Sequence, residues 1–319
     1  MLHSRVAAID CGTNSIRLLI ADVTVRDDGS SSLRDVHREM RIVRLGQGVD
    51  ATGRLAPEAL DRTRAALVDY TALVRRKGVE AVRMVATSAT RDAANRDDFF
   101  AMTREVLGVE AEIISGDEEA RLSFAGAVGD CDPADGPFLV VDIGGGSTEL
   151  VLGSLDSGVE AARSVDIGCV RITERCLLSD PPTASEVASA SALASSVLAA
   201  AFDAVPVAKA RTWIGVAGTV TTLSAVAQDL PAYDVLSTHL STLSIDQIHS
   251  VGDRLLAMTH DERAAVPTIH PGRVDVISGG AIILRVLADH LAAHTPITTL
   301  TVSEKDILVG IALSLAPTP

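Results

Sequence analysis

Two short loops of matching sequence contain the residues that point most directly to chemistry. Asp10-Cys-Gly-Thr-Asn-Ser15 lies near the start of the chain, and Asp142-Ile-Gly-Gly-Gly-Ser147 repeats its acidic, glycine and serine positions a domain length later. Glycines at such a turn let backbone N–H groups approach an anion closely, and hydroxyl side chains add further donors. Loops of this composition favour phosphate binding.

Three segments are candidates for this role. The first loop offers Gly12, Thr13, Asn14 and Ser15, and the second offers Gly144, Gly145, Gly146 and Ser147. Gly218 and Thr219 follow a predicted buried strand and open a predicted helix, which makes them a third anion cradle at a helix N-terminus. A lone strand–glycine–strand turn is usually only a hairpin, but two matching copies and a third cradle favour a phosphate site.

The two loops differ at one informative position, because Arg17 in the first copy takes the place of Glu149 in the second. A cation there can bind phosphate oxygens. A carboxylate there, near Asp142, can hold Mg²⁺ through oxygen ligands or waters. We therefore predict Arg17 as a phosphate contact and Asp142 with Glu149 as metal ligands. The alternative is that Arg17 and Glu149 are strand-edge residues without a role.

Three consecutive carboxylates, Asp117, Glu118 and Glu119, stand at the start of a predicted helix. Taken alone, such a cluster is best explained as complementing the helix dipole. A hydrolase, however, needs a carboxylate base to orient and deprotonate the attacking water, which gives the cluster a second interpretation. Cys11 is interpreted as a small side chain beside the turn rather than a nucleophile, because no histidine with an acidic partner accompanies it.

The composition of the 319 residues excludes several classes of protein. A net charge of −14 argues against a nucleic-acid binder, which needs a basic face. No run of 18 uninterrupted apolar residues exists, so we expect no membrane span. The N-terminal residues lack the apolar segment of a signal peptide, and the four cysteines form no Cys-x-x-Cys pair. We therefore expect a cytoplasmic protein with reduced thiols.

The elements that position these residues follow an α/β pattern in both halves of the chain. Each loop is predicted to join two strands of a hairpin, and the turn-rich segment 128–137 marks the connection between the halves. The further predicted elements are helices over 57–76, 170–177, 183–204, 246–258 and 274–290, strands over 81–86, 112–114 and 213–217, and a final strand and helix over 300–315.

These motifs resemble the exopolyphosphatase and guanosine pentaphosphate phosphohydrolase family, within the actin, Hsp70 and sugar-kinase superfamily. The matching stretches, in family order, are DCGTNSIRL from Asp10, ATSATRDA from Ala86, ISGDEEAR from Ile114, VDIGGGSTEL from Val141, VAGT from Val216 and RVDVISGGA from Arg273. The combination of SGDEEA with DIGGGSTE separates this family from the kinases of the superfamily, which share the paired loops only.

The resemblance implies an α/β fold with two ribonuclease-H-like domains and the substrate in the cleft between them. We expect a first domain over residues 1–127 and a second over 128–302. The C-terminal segment 303–319 returns to the first domain in some family members, so the first domain is also expected in a discontinuous form.

The resemblance also implies roles for individual residues. A glutamate of the SGxEEA motif is the base for attack of water on a terminal phosphoryl group, and the alignment favours Glu119 with Glu118 as the alternative. Asp142 and Glu149 match the metal-associated carboxylates, and the implied cofactor is Mg²⁺ or another divalent cation. Arg91, like Arg17, matches a position that faces the anionic substrate.

The predicted function is release of terminal orthophosphate from inorganic polyphosphate, from guanosine pentaphosphate, or from both. Long family members continue with helical domains beyond the position of Pro319, so we expect short polyphosphate chains to be favoured. The alternative is a catalytically weak protein that binds and senses either compound, although the intact Glu119, Asp142 and Glu149 count against it. The family suggests a homodimer, and we expect neither nucleic acid nor membrane as a partner.

Overall fold

The computed structural model describes residues 1–317, and the chain forms two compact α/β units. The first unit comprises Met1–Gly126 together with the segment that begins at Ile307, and the second comprises Ala127–Asp306. The chain therefore leaves the first unit once and returns to it, so that the last helix belongs with the first strands.

The elements run in the following order. The first unit contains β1 (Leu2–Cys11), β2 (Ser15–Val25), β3 (Ser31–Ile42), α1 (Val49–Thr52), α2 (Pro57–Arg76), β4 (Ala81–Ala86), α3 (Ser88–Asp92), α4 (Arg96–Leu107), β5 (Glu112–Ile113) and α5 (Gly116–Ala127). The second contains β6 (Phe138–Ile143), β7 (Thr148–Ser154), β8 (Gly158–Val165), α6 (Cys169–Cys176), α7 (Ala184–Ala204), β9 (Thr212–Val216), α8 (Ala217–Ala227), α9 (Val235–Thr238), β10 (Thr242–Ser244), α10 (Ile245–Ala257), α11 (His260–Ala264), α12 (Ile277–His294) and β11 (Thr299–Val302). The last helix, α13 (Ile307–Ser314), returns to the first unit.

Each unit is built on one sheet, and the two sheets share a strand order. The first is β3-β2-β1-β4-β5, and the second, taken in the same direction, is β8-β7-β6-β9-β11 with β10 added at the edge. In both, the first three strands form an antiparallel meander and the next two run parallel to the first strand. This arrangement confirms the prediction of two ribonuclease-H-like halves.

Helices bury apolar stripes against these sheets, and α7 illustrates the pattern. Ala190, Ala194, Leu198 and Ala201 recur every three or four residues along α7 and are buried in the core of the second unit. Within residues 1–317, α7 alone is long and apolar enough to cross a membrane by length and composition. A core helix passes the same test, and Thr183 begins this one with a capping box.

Most predicted elements form close to the expected bounds, but three strands were missed. Helix α2 and strand β4 match their predicted ranges, whereas β10, β3 and β8 were not predicted. Strands β3 and β8 are the third strands of their meanders, and their residues are mostly half-buried or exposed, without a regular apolar alternation. They matter for the site because each one leads into the segment that holds a glycine loop.

The first sheet contains a buried carboxylate at the end away from its glycine loop. Asp22 is 4% exposed and accepts hydrogen bonds from Nε of Arg5 at 2.7 Å and from Nη2 of Arg34 at 2.5 Å. The hydrogen bond from Arg5 is the largest effect on the pKa of Asp22 and holds it below its usual range, although burial opposes this. The ion pairs therefore stabilise the folded unit whenever Asp22 is ionised.

We expect Asp22→Asn to lower the free energy of unfolding by about 1–3 kcal/mol at pH 7, because it weakens the hydrogen bonds that two arginines donate to this buried side chain. Since the folded pKa is depressed, this contribution is complete above the unfolded pKa of about 3.9 and is lost as the pH falls through the folded value. Urea denaturation should therefore show the difference from the natural chain shrinking between pH 5 and pH 2. The control Asp35→Asn, which removes an exposed pair with Arg38, should cost less than about 0.5 kcal/mol; equal losses would contradict this account.

Candidate functional site

The two glycine loops close their hairpins with the same hydrogen bond. The N–H of Gly12 donates to the carbonyl of Ser15 at 3.0 Å, and the N–H of Gly144 donates to the carbonyl of Ser147 at 3.0 Å. Each loop follows the carboxyl end of the first strand of its own sheet, β1 or β6. The duplication predicted from the sequence is therefore confirmed down to this hydrogen bond.

The carbonyl groups of the second loop are held by the first residues of α6. The N–H of Cys169 donates to the carbonyl of Gly144, and the N–H of Val170 to that of Gly145, both at 2.9 Å. In a planar trans peptide the C=O and the following N–H point in opposite directions. The N–H groups of Gly145 and Gly146 therefore point away from α6, and neither finds an acceptor among residues 1–317. Outward-pointing N–H groups of this kind are donors for an anion.

A glycine outside each loop permits this close support. A Cβ at Gly168 would lie 2.4 Å from the carbonyl carbon of Gly145, and a Cβ at Gly46 would lie 2.3 Å from Cγ2 of Thr13. The N–H of Gly46 also donates to the carbonyl of Thr13 at 2.8 Å. In both units the supporting glycine follows the third strand, so the duplication extends beyond the hairpin recognised in the sequence.

The cross-strand partner of the loop aspartate differs between the units. Asp10 lies directly opposite Arg17, whose Nε and Nη2 donate to Asp10 Oδ2 at 3.0 and 2.5 Å. The charge of Arg17 is thus compensated by Asp10 within the first unit. Asp142 lies directly opposite Glu149, and these two residues are 8% and 1% exposed. The change of partner turns an ion pair into a pair of carboxylates.

The carboxylate pair fits the ligand chemistry of a hard divalent cation. Residues directly opposite on an antiparallel pair have Cβ atoms about 4.5–5.5 Å apart on one face, where like charges repel. The hydroxyl of Ser164 donates to Glu149 Oε1 at 2.7 Å, which orients that carboxylate. No group of three or more His, Cys, Asp or Glu side chains in residues 1–317 could form a metal cage. Mg²⁺ commonly uses one or two carboxylates and takes its other oxygens from water and phosphate, so Asp142 and Glu149 fit it.

The structure distinguishes the two candidate glutamates of α5. Glu119 is 8% exposed, and its Oε2 accepts from Nη1 of Arg91 at 2.9 Å, while the same Nη1 donates to the carbonyl of Ile114. Glu118 pairs with Arg83 at 2.6 Å and its side chain is 45% exposed. Two predicted residues, Glu119 and Arg91, are thus in direct contact, whereas Glu118 belongs to a surface ion pair.

The third cradle contains an arginine that the sequence analysis did not assign. A Cβ at Gly218 would lie 2.3 Å from Nη2 of Arg273, so this guanidinium rests against the backbone at the start of α8. Its Nη1 donates to Oγ1 of Thr222 at 3.4 Å. Arg273 stands at the beginning of the matching stretch RVDVISGGA, and that position was the only signal for it in the sequence.

Two cysteines lie beside the loops, and both are buried. Burial raises the pKa of the Cys11 thiol, and it raises the pKa of the Cys169 thiol to about 11 against the opposing effect of a hydrogen bond with Thr219. The thiolate is the nucleophilic form of cysteine, so neither side chain is activated near neutral pH. The interpretation of Cys11 as a small buried side chain is confirmed.

Within each unit, the predicted site residues gather at one edge of the sheet. In the first unit, the loop, α3 and α5 follow the carboxyl ends of the adjacent parallel strands β1, β4 and β5. A hydrogen bond of 2.9 Å between Oγ1 of Thr13 and Oγ of Ser88 links the loop to α3. In the second unit, the loop and the Gly218–Thr219 cradle follow the adjacent parallel strands β6 and β9. This is the edge at which α/β sheets bind ligands.

Two ribonuclease-H-like units, each with a glycine loop after its first strand, define a protein of the actin-like ATPase fold class. Within that class the chain belongs to the Ppx/GppA phosphatase family, whose sequence profile matches residues 23–315. The family inferred from the motifs is therefore confirmed.

Relatives of this chain match it over nearly its full length. It is 59% identical to Exopolyphosphatase 2 of Mycobacterium tuberculosis, over 99% of this chain and 100% of that protein. The crystal structure of an exopolyphosphatase-like protein is 43% identical, with a TM-score of 0.92 and coverage of 98% of both chains. The Aquifex aeolicus member of the Ppx/GppA family is 31% identical, with a TM-score of 0.78 and coverage of 98% of this chain and 97% of that one.

We expect Gly168→Ala to weaken binding of pyrophosphate by about tenfold, because the new Cβ pushes the second loop off α6 and turns its N–H groups. The steric clash between this Cβ and the backbone of Gly145 should also lower the free energy of unfolding by about 1–3 kcal/mol. Isothermal titration calorimetry measures the first effect and urea denaturation the second. Unchanged pyrophosphate affinity in this variant would show that the contact with Gly168 does not set the shape of the loop.

Proposed function

We propose that this chain is an exopolyphosphatase, which releases terminal orthophosphate from inorganic polyphosphate. The observation that carries the proposal is the 59% identity, over the full length of both chains, to a protein named Exopolyphosphatase 2. The outward N–H groups of Gly145 and Gly146 support it, because they suit the oxygens of a phosphate chain. The buried Glu119 supports the hydrolytic step.

In the proposed reaction, the loop N–H groups bind and orient the terminal phosphates, and Glu119 accepts a proton from the attacking water. The water oxygen forms a bond to the terminal phosphorus as the bond from that phosphorus to the bridging oxygen breaks. The shortened polyphosphate leaves with the bridging oxygen. Arg91 holds Glu119 by an ion pair at 2.9 Å, which limits the orientations of this carboxylate. No covalent intermediate is needed.

Asp142 and Glu149 are the proposed ligands of Mg²⁺ or another divalent cation. Bound there, the ion would supply positive charge near the phosphate oxygens, where negative charge develops during hydrolysis. The two carboxylates are cross-strand neighbours beside the second loop, which supports the proposal that they hold the cation near the phosphates.

Guanosine pentaphosphate is the second candidate substrate, because it also presents a terminal phosphoryl group on an anhydride. An assay of orthophosphate release from short polyphosphate, long polyphosphate, guanosine pentaphosphate and ATP separates the candidates. We expect short polyphosphate to be hydrolysed with the highest kcat/KM. Binding of these compounds without release of orthophosphate from any of them would contradict the proposal and favour a binding or regulatory protein. A cytoplasmic location and a homodimer stay predictions from the sequence.

We expect Glu119→Gln to lower kcat for polyphosphate about 10²–10⁴-fold, because a general base contributes a factor of this order. Substrate affinity should change little, since glutamine keeps the size and the acceptor oxygen of the side chain. The matched variant Glu118→Gln removes a neighbouring charge from the surface pair with Arg83 and should retain kcat within about threefold. The reverse pattern, with Glu118→Gln inactive and Glu119→Gln active, would overturn the assignment of the base.

We expect Asp142→Asn to raise the Mg²⁺ concentration for half-maximal activity by about tenfold or more, because one of two charged ligands is lost. Calorimetric titration with Mn²⁺ gives a readout that does not depend on turnover and should show the same loss of affinity. The exposed Asp156, in the turn between β7 and β8, provides the control Asp156→Asn, for which neither value should change. Equal Mn²⁺ affinity in the Asp142→Asn variant and the natural chain would rule out a metal site at this pair.

A further inference from the structure

The carbonyl that precedes the closing serine of each glycine loop accepts its hydrogen bonds from different kinds of donor in the two units. In the first loop, the carbonyl of Asn14 accepts the N–H of Val43 at 3.1 Å and the N–H of Arg44 at 2.8 Å. In the second loop, Gly146 occupies the matching position, and its carbonyl accepts Nε of Arg171 at 3.0 Å. In the second unit, one side-chain donor thus takes the place of the two backbone N–H donors of the first unit.

The backbone of Arg171 is attached to the same loop. Its N–H donates to the carbonyl of Gly145 at 3.2 Å, beside the shorter bond from Val170. Gly144, Gly145 and Gly146 therefore all direct their carbonyls toward the first turn of α6. Arg171 supplies the only side-chain donor to these three carbonyls among residues 1–317.

Peptide planarity gives this contact a consequence for the anion site. The carbonyl of Gly146 and the N–H of Ser147 belong to one peptide group, so holding the carbonyl toward Arg171 directs the N–H of Ser147 the opposite way. Without the guanidinium, that peptide could rotate and present a carbonyl oxygen to the bound phosphate, which would repel it.

We propose that Arg171 is a positioning residue of the second phosphate loop: its Nε holds the Gly146 carbonyl inward, so that the N–H of Ser147 faces the terminal phosphates of the substrate. The inference rests on the proposed function in naming polyphosphate as that substrate. It differs from a role as a direct phosphate ligand, because the contact that matters is the hydrogen bond to Gly146 and the formal charge is secondary.

Three substitutions at this position separate the two roles. In Arg171→Gln, the amide nitrogen occupies the same bonded position as Nε of arginine, so the donor to Gly146 is retained without the charge. In Arg171→Lys, the charge is retained, but the donor nitrogen Nζ lies one bond further along the side chain than Nε of arginine. In Arg171→Met, donor and charge are both removed at similar length. The matched control is Arg175→Met, which removes an exposed arginine one turn later on the same helix.

The experiment measures the Kd of tripolyphosphate by calorimetry with Mg²⁺ present, in a Glu119→Gln background that prevents turnover. We expect Arg171→Met to raise the Kd about tenfold, as loss of a charge-assisted hydrogen bond should. We expect Arg171→Gln to stay within about threefold and Arg175→Met to match the parent protein. The Tm of Arg171→Gln should lie within about 2 °C of the parent value. A change in the Kd of this variant can then be assigned to binding and not to loss of folded protein.

Equal loss of affinity in Arg171→Gln and Arg171→Met, with Arg171→Lys near the parent value, would overturn the inference in favour of a direct charge contact. Parent-like affinity in Arg171→Met would overturn it as well, and so would a parent that binds no tripolyphosphate. Intact binding in a natural chain that releases no orthophosphate would contradict the proposed function alone, because the affinity measurements do not need turnover.

Discussion

The carbonyl oxygens of both glycine loops are held by hydrogen bonds from the segment that follows the third strand of the same unit. Because peptide groups are planar, this support aims the opposite N–H groups outward, and the anion binding that we propose for the loops depends on it. The supporting segment must approach each loop closely, which explains the glycines at positions 46 and 168. A Cβ atom at either position would clash with the loop. The same requirement also explains why strands β3 and β8 matter, although they carry no predicted site residue: each leads the chain back to its loop.

The duplicated scaffold has diverged in its charges rather than in its backbone. The first copy pairs Asp10 with Arg17, which leaves little net charge at that position. The second places Asp142 opposite Glu149, and the oxygens of two neighbouring carboxylates suit a divalent cation. The proposed base, Glu119, lies outside both hairpins, near the start of α5, which follows β5 of the first sheet. The repeated scaffold thus supplies the two glycine loops, whereas the residues proposed for hydrolysis each occur in one half only.

The sequence predicted those parts of the fold whose signals are local. The hairpin loops, α2 and β4 are marked by glycine spacing, a proline start and apolar periodicity within a few residues. Strands β3 and β8 were not predicted, because their half-exposed residues lack the regular apolar alternation by which a strand is recognised in a sequence. Arg171 and Arg273 were not predicted as site residues. Their contacts are with Gly146 and Gly218, which are distant in sequence and adjacent only in the fold. The order of preference between Glu118 and Glu119 came from alignment, and burial beside Arg91 now adds a physical reason for it.

The central claim is that the supported loops present their N–H groups to phosphate. A crystal structure of the Glu119→Gln variant with tripolyphosphate and Mg²⁺ tests it most directly. The account predicts phosphate oxygens about 2.7–3.2 Å from the backbone nitrogens of Gly145 and Gly146, with the loop carbonyls still bonded to α6. Tripolyphosphate bound away from these nitrogens, or a second loop whose carbonyls have turned toward the ligand, would contradict it.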